Sequence, residues 1–223
     1  MAKRAVVLLS GGLDSTTVLF WAQRRGYRPT ALIVDYGQRH KREIKAARRV
    51  AKAAGAPWHE ISLSLPWLRD NYLINTKKKL PHVSLARIGK NGIPPTYVPG
   101  RNTILLALGV SLADSIGAEA VIYGANALDY SDYPDCRPDF ISAFSRAARL
   151  GTRQGAEQGR IRVLAPLSRL DKSAIVKLGR KLKAPLHITW SCYEGDARPC
   201  GCCDSCQLRA KGFAAAGVAD PAQ

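Results

Sequence analysis

The chain has 223 residues, 46% of them hydrophobic and 23% charged, which excludes disordered and fibrous classes and allows one core with a small appendage. No apolar stretch approaches a membrane span, and the run at residues 5–9 meets Ser10-Gly11-Gly12 too early for a signal peptide, so a cytoplasmic protein with no membrane partner is expected. The formal net charge of +17 reads either as a nucleic-acid surface or as a solvated helix face plus a basic loop in a protein handling phosphates; the second is preferred, because the Lys/Arg-rich stretches 38–52 and 77–90 carry no interleaved aromatics.

Residues 5–9 read as a buried strand that ends in the tight turn Ser10-Gly11-Gly12. A helix is predicted over 13–25 with Gly26 as its stop, then a second buried strand at 31–34. A basic amphipathic helix at 43–54 ends at Gly55, and 58–63 reads as a third strand. Residues 64–100 are irregular, with Pro66, Pro81, Pro94, Pro95 and Pro99; a stretch this long reads as a functional loop or lid. Helical periodicity returns at 103–116, a strand at 120–123, a helix at 137–150, a strand at 162–164 and a helix at 172–182. Strands alternating with helices predict an α/β fold, a doubly wound and mostly parallel sheet. One boundary is drawn near Ala184, dividing an α/β domain, 1–184, from a cysteine-rich C-terminal appendage, 185–223.

Ser10-Gly11-Gly12-Leu13-Asp14-Ser15 lies between the first strand and the first helix, where parallel sheets bind ligands. Glycines let the backbone approach an anion, the helix start supplies free N–H groups, and Ser10 and Ser15 add hydroxyls. The loop lacks the lysine of a mononucleotide P-loop and is not G-x-G-x-x-G. Taken alone, S-G-G is more often a turn before a capped helix than a site; its place after the first strand makes the two readings even.

The tail carries Cys192, Cys200, Cys203 and Cys206 within S-C-Y-E-G-D-A-R-P-C-G-C-C-D-S-C. Two C-x-x-C pairs closing on an upstream cysteine can build a four-thiolate tetrahedron around one Zn²⁺, a closed structural site. An iron–sulfur cluster uses four cysteines too, but the tight closing pairs favour zinc. A secreted disulfide framework fits poorly with the adjacent Cys202-Cys203, so a reducing compartment is expected, with Cys136 and Cys202 as small structural residues. His40, His59, His82 and His187 have no metal-ligand spacing and read as solvated or core residues.

S-G-G-L-D-S resembles the phosphate loop of the N-type ATP pyrophosphatases, which split ATP into AMP and pyrophosphate while adenylating a substrate oxygen. V-P-G-R-N at 98–102, D-Y-S-D-Y-P-D-C-R at 129–137, T-W-S-C-Y at 189–193 and P-C-G-C-C-D-S-C-Q-L-R through Arg209 resemble, in this order, the 7-cyano-7-deazaguanine synthase family, from about residue 5 to Phe213. Cys202 is the visible departure from the family pattern. The resemblance implies a C–N bond-forming ligase that turns 7-carboxy-7-deazaguanine, ammonia and two ATP into the nitrile, with Mg²⁺ on the ATP, one structural Zn²⁺ per chain, no stably bound nucleic acid, and a homodimer.

It implies a nucleotide-binding loop of Leu9, Ser10, Gly11, Gly12, Leu13, Asp14, Ser15, Thr16 and Thr17, with Asp14 starting the helix or meeting Mg²⁺ through the phosphates. Arg101 is assigned to the α-phosphate or the substrate carboxylate, since guanidinium grips such oxygens in pairs; its bland alternative is a surface salt bridge. Asp14, Ser15 and Arg101 stand nearest the chemistry. Asp132, Tyr133, Asp135 and Arg137 are expected as a substrate-facing loop, a carboxylate for the guanine-like edge and an aromatic for its flat ring; a Pro-centred turn is the alternative. Asp35, ending the second strand, is expected near the adenosine. The rival readings are a phosphate-loop tRNA-modifying ligase or thiolase, a zinc-knot nucleic-acid module, and a paralogue acting on another carboxylate.

Overall fold

The first strand, β1 (Lys3–Leu8), sends alternate side chains to two buried faces. Ala5 and Val7, with Leu9 beyond the strand, join one apolar cluster; Val6 and Leu8 join another. Such a strand must lie inside a sheet covered on both sides. The computed structural model, which describes residues 3–39, 41–88, 92–127 and 133–222, shows that arrangement. With β2 (Tyr27–Asp35), β3 (Trp58–Ser62), β4 (Ala120–Ile122) and β5 (Arg162–Leu164), β1 forms a parallel sheet of order β3-β2-β1-β4-β5. Val7 pairs with Ala31 on one side and with Ile122 on the other. The strand order therefore reverses beside β1, and a crevice is expected where its carboxyl end meets that of β4.

Helices α1 (Leu13–Arg24) and α2 (Arg42–Ala53) cover the first face, where Val18, Leu19, Ile44 and Val50 meet Ala5, Val7 and Ile33. The opposite face is covered by α3 (Arg101–Ile116) and α4 (Pro138–Leu150), through Leu106, Val110 and Ala148. A short α5 (Arg153–Gln158) leads into β5. After β5 the chain returns to the first face in α6 (Lys172–Lys181), and α7 (Asp204–Ala215) packs beside it, with Phe213 in the same core cluster as Val18 and Ile175.

Most expected elements stand within two residues of their predicted bounds. Strand β2 begins earlier, because Arg28-Pro29-Thr30 lacks an apolar run yet pairs with β1. Pro29 is tolerated there: the Ala31 N–H reaches the Pro57 carbonyl on the β3 side, so the donor missing from Pro29 faces the same side, ahead of the start of β3. Helices α5 and α7 were not expected; α7 lies inside the cysteine-rich run, whose composition hides its periodicity.

The described residues between 64 and 100 include a packed wall. Leu68, Leu73, Leu80 and Val98 are buried in one cluster with Cys192, Cys203 and Cys206. Arg39 holds this wall from within. Its Nη1 donates to the carbonyls of Tyr72 (3.2 Å), Asn75 (3.2 Å) and Lys78 (2.6 Å), while Nη2 reaches Glu194 at 3.2 Å. Other members of the 38–52 basic run are also partnered. Arg42 donates to the Gly195 carbonyl at 3.0 Å and lies over Trp190, and Arg48 pairs with Glu60 at 2.6 Å. The solvated-face reading of that run is thus corrected in part, since several guanidiniums join segments of the fold.

The tail is anchored by a buried ion pair. Arg209 meets both oxygens of Asp220 at 2.6 and 2.8 Å, donates to Thr189 and Ser191, and lies over the Phe213 ring. Their side chains are 7% and 4% exposed, so removing one partner would strand a buried charge at a cost of about 3–5 kcal/mol.

Candidate active site and metal centre

The crevice expected beside β1 is a cavity of about 270 Å³. Leu9, Ser10, Gly12, Leu13, Asp14 and Ser15 line it at the end of β1. The loop is tied into a ring: the Ser10 and Ser15 hydroxyls stand 3.1 Å apart, Ser15 donates to the Gly12 carbonyl at 3.2 Å, and the Gly12 N–H reaches the Ser10 hydroxyl at 3.4 Å. Gly11 has φ +83°, and a Cβ there would lie 2.4 Å from the Glu43 carbonyl and 2.5 Å from the Ala47 nitrogen. The loop thus rests directly on the first turns of α2. Gly11→Ala is expected to cost about 2–5 kcal/mol, from a left-handed non-glycine backbone and overpacking against main chain. Thermal melting would register the loss.

Asp14, in the first turn of α1, accepts from Asn126 Nδ2 at 2.9 Å and pairs with Lys172 at the start of α6. Its Oδ1 is buried without a protein partner. That oxygen has acceptor capacity left for a cation or a donor on a bound nucleotide, so the donor set fits Mg²⁺.

Arg101 begins α3 and faces the loop across the cavity. Burial opposes its charge, but the surrounding Tyr36, Tyr133 and Tyr193 outweigh that and hold its pKa above the ordinary arginine value; Tyr36 also hydrogen-bonds it. This is an enclosed guanidinium, so the surface salt bridge considered for it is not what the structure shows. Glu43, on α2, shares this end of the cavity. It is half-buried and crowded by protein, and desolvation pushes its carboxyl up to about 7 against the opposing pull of Arg101 and a hydrogen bond from Gln38.

The third wall comes from the tail. Trp190 donates its backbone N–H to the Gly11 carbonyl at 2.9 Å, and Trp190, Ser191, Tyr193 and Arg209 line the cavity. Next to it the Sγ atoms of Cys192, Cys200, Cys203 and Cys206 all lie within 4.8 Å of one another, with Cys200 and Cys206 4.0 Å apart. A tetrahedron of 2.3 Å metal–sulfur bonds has edges of about 3.8 Å, so the set fits. Backbone N–H groups of Glu194 and Cys200 point at Cys192 Sγ, and that of Cys203 at Cys200 Sγ, supporting thiolate character. Without a cation the sulfurs would share protons: hydrogen bonds from Cys203 and Cys206 pull the Cys192 thiol down, while Cys192 pushes Cys206 up to about 12. None of the six cysteines is in a disulfide. Cys202 is not one of the four clustered sulfurs: it stands 3.6 Å from His82, and a hydrogen bond with Cys200 pushes its thiol up.

Several expected site residues lie off the cavity wall. Thr16 and Thr17 are fully buried in α1, and the Thr17 hydroxyl donates to the Leu13 carbonyl. Asp35 pairs with Lys41 at 2.6 Å and accepts the Gly37 N–H. Asp135, 5% exposed, accepts the Asn102 N–H at 2.9 Å and so braces the turn that presents Arg101; its Oδ1 has no protein partner. Arg137 is exposed at the start of α4, and Asp132 and His40 lie outside the described residues. Tyr133 stands beside Arg101 and stacks at a tilt on Tyr97, 5.9 Å between centroids. Tyr36, Gln38, Glu43, Asn126, Lys172, Trp190, Tyr193 and Arg209 were missed. Position was the available signal for Tyr36 and Lys172, which follow the ends of β2 and β5 where ligands gather.

The parallel order reversing beside β1, with the Ser10–Ser15 glycine loop lining the crevice at the reversal, defines a doubly wound α/β protein. NMN synthetase from Francisella tularensis shares this fold: TM-score 0.52 and 20% identity, covering 90% of this chain and 71% of that one. The family model described as queuosine biosynthesis protein QueC matches residues 4–217. A 7-cyano-7-deazaguanine synthase of Anaeromyxobacter dehalogenans is 51% identical over 225 residues, covering 100% of this chain and 96% of its own. Another, of Pseudomonas fluorescens, is 48% identical over 222 residues, covering 98% and 97%. The chain belongs to the QueC family of 7-cyano-7-deazaguanine synthases. Among the described residues, no helix is long and apolar enough to cross a membrane.

Proposed function

We propose that the protein converts 7-carboxy-7-deazaguanine and ammonia into 7-cyano-7-deazaguanine, consuming two ATP and releasing two AMP and two pyrophosphates. The observation that carries this reading is one cavity walled by the phosphate loop, Arg101 and the Trp190–Arg209 segment together. Carboxylate to nitrile removes two oxygens, and each must first become a leaving group. Adenylation of the carboxylate lets ammonia form the amide; adenylation of the amide oxygen lets AMP depart. One loop serves both rounds.

Ser10, Gly11, Gly12, Asp14 and Ser15 hold the departing pyrophosphate, and Lys172 adds positive charge beside Asp14. Asp14 would hold Mg²⁺ through its spare Oδ1, and the ion would supply positive charge against the phosphates. Arg101 grips the α-phosphate or the substrate carboxylate, and catalysis comes chiefly from positioning and from charge stabilisation on the phosphoryl oxygens. Tyr133, beside Arg101, offers the flat ring a stacking partner, and Asp135 braces the turn that presents Arg101. Cys192, Cys200, Cys203 and Cys206 hold a structural Zn²⁺ in an appendage spanning 185–223. Six cysteines without a disulfide suit a reducing cytoplasm, and the family resemblance implies a homodimer.

The test is turnover of purified protein with ATP-Mg²⁺, ammonium and 7-carboxy-7-deazaguanine, following nitrile and AMP. Nitrile with two AMP per product is expected. AMP release without nitrile would move the chemistry to another carboxylate, and absence of both products from folded, metal-loaded protein would overturn the reading.

A further inference from the structure

The reaction proposed above has a proton balance that the phosphate loop does not serve. When ammonia attacks the acyl adenylate, nitrogen gains a positive charge; one N–H proton must leave as the C–O bond to AMP breaks and the amide forms. Adenylation of the amide oxygen removes a second N–H proton and gives a neutral imidate adenylate. Loss of the third, as the remaining C–O bond to AMP breaks, completes the nitrile. All three hydrogens of ammonia depart as protons, inside a cavity whose other duties are to bind anions.

Among the described residues lining that cavity, the carboxylates are Asp14 and Glu43. Asp14 is committed: it pairs with Lys172 and accepts from Asn126. Glu43 also lines the cavity, with Arg101 of α3, Asp35 of β2, and Tyr36, Gln38 and Lys41 of the following turn as its charged and polar neighbours. Its place is fixed from both directions. Its own carbonyl abuts Gly11 of the phosphate loop, so loop and carboxylate are held on one rigid turn. Gln38 accepts the Tyr36 N–H at 2.9 Å, which orients its amide toward Glu43.

We propose that Glu43 is the general base that takes the protons nitrogen sheds in both rounds, and returns them to water at the cavity mouth. The role rests on the nitrile-forming reading. Desolvation, opposed by Arg101, sets the carboxyl at about 7, where a group can accept a proton and release it again. Its partial exposure gives the released proton a path to water.

The test separates the half-reactions. Pyrophosphate exchange with ATP and 7-carboxy-7-deazaguanine, without ammonia, reports adenylation; amide and nitrile formation report proton loss. Glu43→Gln is expected to lose about 10²–10⁴-fold in the nitrogen steps, far more than in exchange. In the wild type, amide formation at fixed free ammonia should rise through pH 7, and in Glu43→Gln that rise should vanish. Glu43→Asp, which keeps the carboxylate, should restore part of the rate and the rise. Equal losses in exchange and amide formation would make Glu43 a brace for Arg101 and overturn the base role. A flat wild-type profile would overturn it without any variant, even one that fails to fold. A wild type inert toward the carboxylate in exchange would overturn the nitrile reading, and this role with it.

Discussion

Arg101→Ala is expected to lower nitrile formation by about 10²–10³-fold while the protein stays folded. The guanidinium faces the cavity among Tyr36, Tyr133 and Tyr193, and the turn beneath it is held by others: Asp135 accepts the Asn102 N–H, and the Arg101 N–H reaches the Val98 carbonyl at 3.1 Å. Removing the side chain therefore empties a charged position without releasing the start of α3. Lysine should restore little, because a point charge cannot grip two oxygens as a planar fork does. The substitution has a second consequence with a defined sign. Arg101 lowers the pKa of Glu43, so without it the carboxyl rises above its value of about 7. The residual rate of Arg101→Ala should then need more alkaline solution to reach its plateau than the wild type does. Nitrile formation followed across pH, with circular dichroism as the fold check, measures both effects. Near-normal activity at neutral pH would remove Arg101 from the mechanism.

How much of this was legible beforehand depended on whether a residue's role was local or collective. Strands β1, β4 and β5 and helices α1 to α4 were readable, because each buries a face whose spacing is written in a short window. The Ser10–Ser15 loop was readable as a turn at the ligand crevice by its position after the first strand, and it lines the cavity. The four-cysteine cluster was readable by spacing, and the structure brings the four sulfurs together. Glu43 was not: in sequence it is one acid in a basic amphipathic helix, and only the Gly11 contact and the approach of α3 turn it toward the cavity. Arg39 was hidden in the same way, as one cation of a basic run whose partners lie 33 to 155 residues away. Asp135 shows the converse. A motif pointed to it, but the folded chain uses one of its oxygens to cap α3, a role only the tertiary turn discloses.

Stripping the metal is expected to abolish turnover and melt the tail together, although none of the four clustered cysteines lines the cavity. The link is the backbone between them. Cys192 is two residues from Trp190, whose N–H holds the Gly11 carbonyl and whose indole N–H donates to the Cys192 carbonyl at 2.9 Å. Cys203 opens α7, whose Arg209 lines the cavity and pairs with Asp220. An apolar knot of four sulfurs cannot keep four negative charges without a cation. Structural zinc binds such sets with an apparent free energy of about 10–16 kcal/mol near pH 7, comparable to the whole stability of a domain. Losing it should release the 189–193 segment, and with it one wall of the site. Metal analysis should find one Zn²⁺ per chain. Chelation should remove pyrophosphate exchange as well as nitrile formation, and added Zn²⁺ should restore both. Cys203→Ser is expected to reproduce the loss. Cys202→Ser should keep its metal and its activity, because that sulfur sits beside His82, outside the cluster. If chelated protein still exchanged pyrophosphate at the wild-type rate, the knot would be uncoupled from the phosphate loop, and the Trp190 bridge would carry no functional weight.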